Sequence, residues 1–185
     1  MEINNRTNFE KEFLKRFGEI SMTTLSKIKD SRVRIDLGEG LEGNSRVQQA
    51  LNRAMEILDY CFTGKDLWLR IILWEIDALE ALKIKEENFD EVDFKLEWKE
   101  DDYDVLCLYY KEYSFSVVSS IVISILNYEM ALEPSANITC YFVDFSGSTV
   151  VNIYDERGCD IHTPNKNLMN NLHYNFKKWE NKSVR

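Results

Sequence analysis

The chain has 185 residues, 44% of them hydrophobic, which is enough to bury a sizeable core as one domain, and its 32 acidic against 23 basic residues give a formal net charge of -9. Such a field repels nucleic acid and anionic lipid surfaces, so no nucleic-acid or membrane partner is expected, and no run approaches the ~20 apolar residues of a spanning helix. The first residues hold no apolar leader, and Cys61, Cys107, Cys140 and Cys159 are scattered through apolar contexts without a C-x-x-C pair, which reads as a cytoplasmic protein with four reduced core thiols.

In chain order, Phe9, Phe13, Leu14 and Phe17 recur at helical spacing and predict an amphipathic helix ending near Gly18, with a weaker helix or linker running on to Asp30. Residues 1–30 are thereby set apart as an N-terminal helical segment, and 31–185 read as a single α+β domain. Arg32 to Leu37 alternates polar and apolar as a half-buried strand does, and Gly38, Gly40 and Gly43 follow as a loop. Their G-x-G-x-x-G spacing resembles a dinucleotide fingerprint, but Glu39 and Glu42 inside it would repel a pyrophosphate, so a flexible turn is the expectation. Ser45 is placed to cap the next helix, whose face of Val47, Ala50, Leu51, Ala54, Leu58 and Cys61 should cover a sheet. Leu67 to Trp74 is apolar on both sides except at Arg70, which predicts an internal strand, parallel to the first if the two are neighbours.

Glu75 to Glu87 has the composition of a short helix or an extended arm. Val92 to Trp98 alternates, with Val92, Phe94, Leu96 and Trp98 facing inward, and the acidic turn from Glu100 to Asp104 joins it to Val105–Tyr110 as a hairpin. Ser116 to Leu132 is rich in β-branched residues, yet its length and the Glu133-Pro134 that ends it predict a buried helix. From Ile138 to Ile161, three β-rich runs are separated by Ser146-Gly147-Ser148 and Asp155-Glu156-Arg157-Gly158, an antiparallel meander on which the remainder should pack. A last helix should open with Thr163 as cap and Pro164 in its first turn, docking Leu168, Leu172, Phe176 and Trp179 on the meander. The fold class expected is α+β, a mixed or mainly antiparallel sheet of about six to eight strands with packing helices.

Three segments carry a resemblance: Arg34-Ile35-Asp36-Leu37-Gly38, then Gln49-Ala50-Leu51-Asn52-Arg53-Ala54, then Tyr154-Asp155-Glu156-Arg157-Gly158-Cys159-Asp160, with Trp179 closing the last helix. Together they resemble a widespread bacterial family of uncharacterised domains, with Ile35 and Asp36 standing where that family has phenylalanine and glutamate. The resemblance spans roughly Arg32 to Glu180 and implies one domain, with no established activity attached.

Candidate chemistry is sparse. Cys159 and His162 have C-x-x-H spacing, but residues three apart on a strand point to opposite faces, so no metal is expected there, and nothing implies a cofactor. With only His162 and His173 in the chain, Cys159 and one of them form the sole nucleophile and base pairing available. Asp155 and Asp160 could serve as paired carboxylates; the expectation is that they cap turns and pair with Arg157, making Asp155, Arg157, Gly158 and Asp160 a structural signature. Charge is uneven, for Lys83 to Glu112 holds eleven acids against five lysines, or -6 of the total -9. Asp90, Glu91, Asp93, Glu97, Asp101, Asp102, Tyr103 and Asp104 are therefore the candidate partner-binding residues, beside the aromatic hairpin of Tyr103, Tyr109, Tyr110 and Tyr113. Three readings follow: an acidic protein-binding module, most concretely a bacterial immunity protein that neutralises a basic, nuclease-like toxin; a housekeeping or regulatory interaction domain; and an enzyme using Cys159 with a histidine.

Overall fold

A strand that is apolar on both faces needs a neighbour along each edge and cover above and below, and this sets the architecture. The computed structural model of the chain describes residues 3–17, 31–75, 77–82, 92–100 and 102–181. Seven strands, β1 (Arg32–Asp36), β2 (Leu67–Leu73), β3 (Phe94–Lys99), β4 (Asp104–Tyr110), β5 (Ile138–Asp144), β6 (Thr149–Asp155) and β7 (Gly158–His162), form one sheet in the order β1-β7-β6-β5-β2-β4-β3. Every pairing is antiparallel. β2 is buried at all seven positions, as its two apolar faces require. β1 and β2 share the sheet and, four antiparallel pairings apart, run in the same direction, but they are not neighbours: the whole meander β5-β6-β7 lies between them, and α2 makes the crossover. Trp74 falls just past the end of β2 and is exposed.

The helices are α1 (Arg6–Phe17), α2 (Gly43–Phe62), α3 (Ala78–Leu82), α4 (Phe115–Tyr128) and α5 (Lys166–Asn175). On one face of the sheet, Ala54, Leu58 and Cys61 of α2, Val118, Val122 and Ile125 of α4 and Leu172 of α5 share a core with Ile35, Leu69, Ile71, Cys140, Phe142, Ile153, Cys159 and Ile161. α4 runs along an uncharged stretch rich in β-branched residues and stops before Glu133-Pro134, so here length overrides β-propensity. No helix among the described residues is long and apolar enough to cross a membrane.

The opposite face divides in two. Over β2, β4 and β5, α1 sets Phe9, Phe13 and Phe17 against Trp68, Tyr141, Val143 and Phe145, while Leu14 turns outward and is 48% exposed, unlike the inward position that its spacing implied. The predicted continuation from Gly18 to Asp30 lies outside the described residues. Across β1, β7, β6, β5 and β2 the register aligns Arg34, Asp160, Asn152, Tyr141 and Arg70 in one transverse polar row. All but Arg34 are buried, and the row is knitted by Asn152 Nδ2 donating to the Cys140 carbonyl (3.1 Å) and by Arg70 lying over the Tyr141 ring.

Two helix starts differ from expectation. α2 begins two residues before Ser45, with Glu42 at its N-cap and no side-chain cap bond. α5 is capped by Asn165, whose side chain accepts from the backbone N–H groups of Asn167 and Leu168; Thr163 Oγ1 instead accepts from Asn165 N (3.2 Å), which places Pro164 ahead of the helix. α5 docks against β1, with Leu172 and Phe176 in the core that the meander also lines, and the residues after it run back along β1's outer edge. There Asp36 N donates to Trp179 O (2.7 Å) and Asn181 N to Arg34 O (2.9 Å), closing that edge of the sheet.

Candidate functional site

The three motif segments and Trp179 meet at one corner. Asp155 opens the β6–β7 turn by accepting from Arg157 N (2.7 Å) and Arg157 Nε (2.8 Å), and this carboxylate holds the guanidinium above its ordinary pKa. The Arg157 carbonyl accepts from Leu37 N (2.9 Å), tying the turn to the end of β1. Gly38 lies so close to this turn that a Cβ there would stand 2.5 Å from the Glu156 carbonyl and 2.7 Å from Arg46 Cγ. From α2, Gln49 Nε2 donates to the carbonyls of Glu39 (2.9 Å) and Leu37 (3.3 Å), and Arg53 donates to the Asp36 carbonyl (2.9 Å) while lying over the Trp179 ring. The glycine loop is thus gripped by side chains of its own chain, and it follows an edge strand paired antiparallel to β7, not a strand inside a parallel sheet as at a dinucleotide site.

Asp160 does not pair with Arg157. It points to the other side of β7, where Arg32 Nη1 lies 3.6 Å away and Arg34 faces it across the register, because alternation along β7 carries residues 158–162 to alternate faces. Burial raises the Asp160 carboxyl above its usual range against the pull of Arg32 and Arg34. The same alternation separates Cys159, in the helix-covered core, from His162, which faces Phe17. Burial pushes the Cys159 thiol well above its ordinary value, the opposite of what a thiolate nucleophile needs. His173 sits on α5 with Nδ1 3.1 Å from Glu180 Oε2.

Of the acidic candidates, Asp90, Glu91 and Asp101 lie outside the described residues. Asp93, exposed beside the start of β3, accepts from Lys111 N (2.7 Å) and pairs with Lys111 Nζ (2.7 Å), which lowers its pKa. Glu97 pairs with Lys95, and Asp104 lies 3.7 Å from Lys99. Intrachain lysines therefore offset part of the strand's charge, which weakens the picture of a uniformly acidic face. The predicted aromatic cluster is also dispersed: Tyr110 is core, and the Tyr113 hydroxyl donates to Asp59 on α2 (2.5 Å).

What remains is a compact patch at the β3–β4 turn. Tyr103 packs on exposed Trp74 at 5.1 Å between ring centroids, and Trp74 Nε1 donates to Thr139 Oγ1 (3.0 Å), which fixes the indole at the surface. Exposed Tyr128, at the end of α4, donates to Glu75 Oε1 (3.2 Å), and Glu75, Glu129 and Asp77 together raise its pKa after burial, the larger cause. Asp102 and Asp104 flank Tyr103 in sequence. Trp74 and Tyr128 were missed in the sequence because one seemed to end a buried strand and the other to lie inside a buried helix; the pairing of Leu73 with Asp104 brings Trp74 beside Tyr103, and the bond to Glu75 brings Tyr128 beside Trp74.

Fold and site define a single α+β domain with an all-antiparallel seven-stranded sheet, a motif corner bonded to itself and an aromatic, acid-ringed patch away from that corner. The chain matches the family model described as Domain of unknown function (DUF3885) over residues 9–181, and it belongs to that family. No curated protein and no solved structure matches it.

Proposed function

We propose that this protein is a binding module for a basic protein partner, engaged through the patch of Trp74, Tyr103 and Tyr128 with its surrounding carboxylates. The observation that carries this reading is the Trp74–Tyr103 pair, in which exposed Trp74 is held by packing on the half-buried Tyr103 ring and by the bond to Thr139. Rigid aromatics supply contact area at small entropic cost, and flanking acids steer a cationic partner. In its most concrete form the module is a bacterial immunity protein that occludes a basic, nuclease-like toxin in the cytoplasm, where four buried free thiols would stay reduced. The β3 edge supports the same end of the sheet as the contact face, since among the described residues nothing pairs with its outer side, whereas the β1 edge is closed by residues 179–181.

The test uses the basic product of the neighbouring gene as partner, in surface-binding kinetics at low salt. Asp102→Lys with Asp104→Lys should slow association at least tenfold, and Trp74→Ala should weaken the complex by about 2 kcal/mol through faster dissociation. Unchanged kinetics in both variants would sink the reading. A neighbouring gene that encodes no toxin would favour a housekeeping or regulatory interaction module instead.

A further inference from the structure

At the other end of β2, on the face that carries α1, a pocket of about 570 Å³ opens between the helix and the sheet. Its size falls within the ~300–1,000 Å³ of small-molecule sites. Trp68 lies at the centre of an aromatic floor, with ring centroids 4.9 Å from Tyr109, 6.2 Å from Phe94 and 6.4 Å from Phe145. Six charged side chains line it: Glu12, Asp66 and Asp93 against Lys15, Arg16 and Lys111.

The balance is only formal, because the cations are already engaged. Arg16 Nε lies 2.7 Å from Glu12 Oε1 and Lys15 Nζ 3.6 Å from Glu12 Oε2, while Lys111 Nζ lies 2.7 Å from Asp93 Oδ1. Asp66 makes no ion pair among the described residues; its polar side-chain partner is the Tyr109 hydroxyl. Its neighbour Lys65 is turned away, donating to the Cys61 carbonyl (2.7 Å) and pairing with the wholly buried Asp144 at 3.2 Å. Lys65, Asp66 and Asp144 thus place one cation among two carboxylates. Burial and the nearby Asp144 charge both act against ionised Asp66, the strain expected of a carboxylate lacking its counter-ion. Glu12 Oε2, buried at the pocket wall, accepts no hydrogen bond, Lys15 Nζ standing 3.6 Å away.

We propose that this pocket binds a small organic cation, a primary ammonium or guanidinium on an apolar body, with Asp66 as counter-ion and the Trp68–Tyr109 surface as the seat of the body. A cation over these rings gains an attraction that a neutral or anionic analogue of the same shape lacks. The site is independent of the partner-binding patch. Trp68 and Trp74 stand at opposite ends of β2, roughly 20 Å apart at ~3.3 Å per residue.

The probes are phenethylamine, 2-phenylethanol and 3-phenylpropionate, which share a body and differ in the polar group, titrated into the full-length protein by calorimetry with tryptophan fluorescence alongside. Phenethylamine should bind at least tenfold more tightly than the alcohol, 3-phenylpropionate should not bind, and Asp66→Asn should abolish the preference for the amine. Equal affinity for amine and alcohol, tighter binding of the carboxylate, or no binding of the amine up to about 10 mM overturns the proposal. Retention of the preference in Asp66→Asn overturns it too. The comparison among ligands is made on the unaltered protein, so it decides the matter even where the variant fails to fold.

Discussion

Phe9→Ala asks whether the first helix belongs to the domain or merely precedes it. The ring is 0% exposed and lies between 5.4 and 6.4 Å, centroid to centroid, from Phe13, Trp68, Trp98 and Phe145. Truncating a fully buried phenylalanine costs about 3–5 kcal/mol, less where the surroundings can collapse into the space. Here three of the four neighbours stand on the sheet or, as Phe145, directly after β5, so a loss near 4 kcal/mol is expected. For a chain of this length, that lowers the Tm by roughly 8–16 °C. Urea unfolding followed by tryptophan fluorescence gives the free energy, with Leu14→Ala on the same helix as reference. Leu14 is 48% exposed, and its truncation should cost less than about 1 kcal/mol. A loss below about 1 kcal/mol for Phe9→Ala, or equal losses for the two variants, would show that α1 is an appendage and refute the packing argument.

Three further outcomes are expected. The thiols of Cys61, Cys107, Cys140 and Cys159 are all buried, with burial pushing Cys61 and Cys107 up to about 12, so a disulfide reagent at pH 8 should find none of them in the native protein and four after unfolding; rapid native reaction of any one contradicts the core assignment. Gly158→Ala would set a methyl against the Tyr154 hydroxyl and 2.7 Å from the Ile35 carbonyl, and should destabilise by about 2–3 kcal/mol in chemical denaturation, because the carbonyl belongs to a paired strand and has no room to yield. Burial lowers the pKa of His162 below its ordinary 6.5. As pH falls through the unfolded value, the unfolded state takes up a proton that the folded state resists. Stability should therefore decline below about pH 6.5 and level off once the folded value is passed, and His162→Gln should flatten that part of the profile measured by urea unfolding between pH 7.5 and 5.

Much of the fold was legible in the sequence. The strand at Leu67, the hairpin around Glu100, the buried helix after Ser116 and the three-run meander follow from periodicity and turn chemistry, both of which are local. What local pattern leaves open is which strands become neighbours, and here chain order misleads, for β2 pairs with β5 across the 64 residues between them, as Ile72 opposite Thr139 and Leu73 opposite Ile138 show. The helix caps failed as well. Ser45 and Thr163 have suitable side chains, but the chain already turns helical at Gly43, ahead of Ser45, and at Lys166 it is Asn165 that caps, with Thr163 bonded to the Asn165 amide instead. The candidate site was half legible: Asp102, Tyr103 and Asp104 were singled out by composition, whereas Trp74 and Tyr128 join them only through tertiary pairing. The pocket beside α1 had no signal in any one segment, since five separate parts of the chain line it.

The polar row from Arg34 to Arg70 answers a question that the apolar strands leave open. A half-buried strand orients itself by hiding one face, but β2 hides both, and its hydrophobic side chains would fit almost equally well rotated by one residue. Arg70 makes that rotation untenable: shifted by one position, its guanidinium would leave Tyr141 and take the place of Leu69 or Ile71 in the helix-covered core, and the same shift of β7 would put Asp160 in the place of Cys159 or Ile161. Stranding either charge without a partner costs several kcal/mol, a large part of what such a domain has in reserve. These few polar side chains act as an orientation code, distinguishing the top of the sheet from its bottom where hydrophobicity is silent.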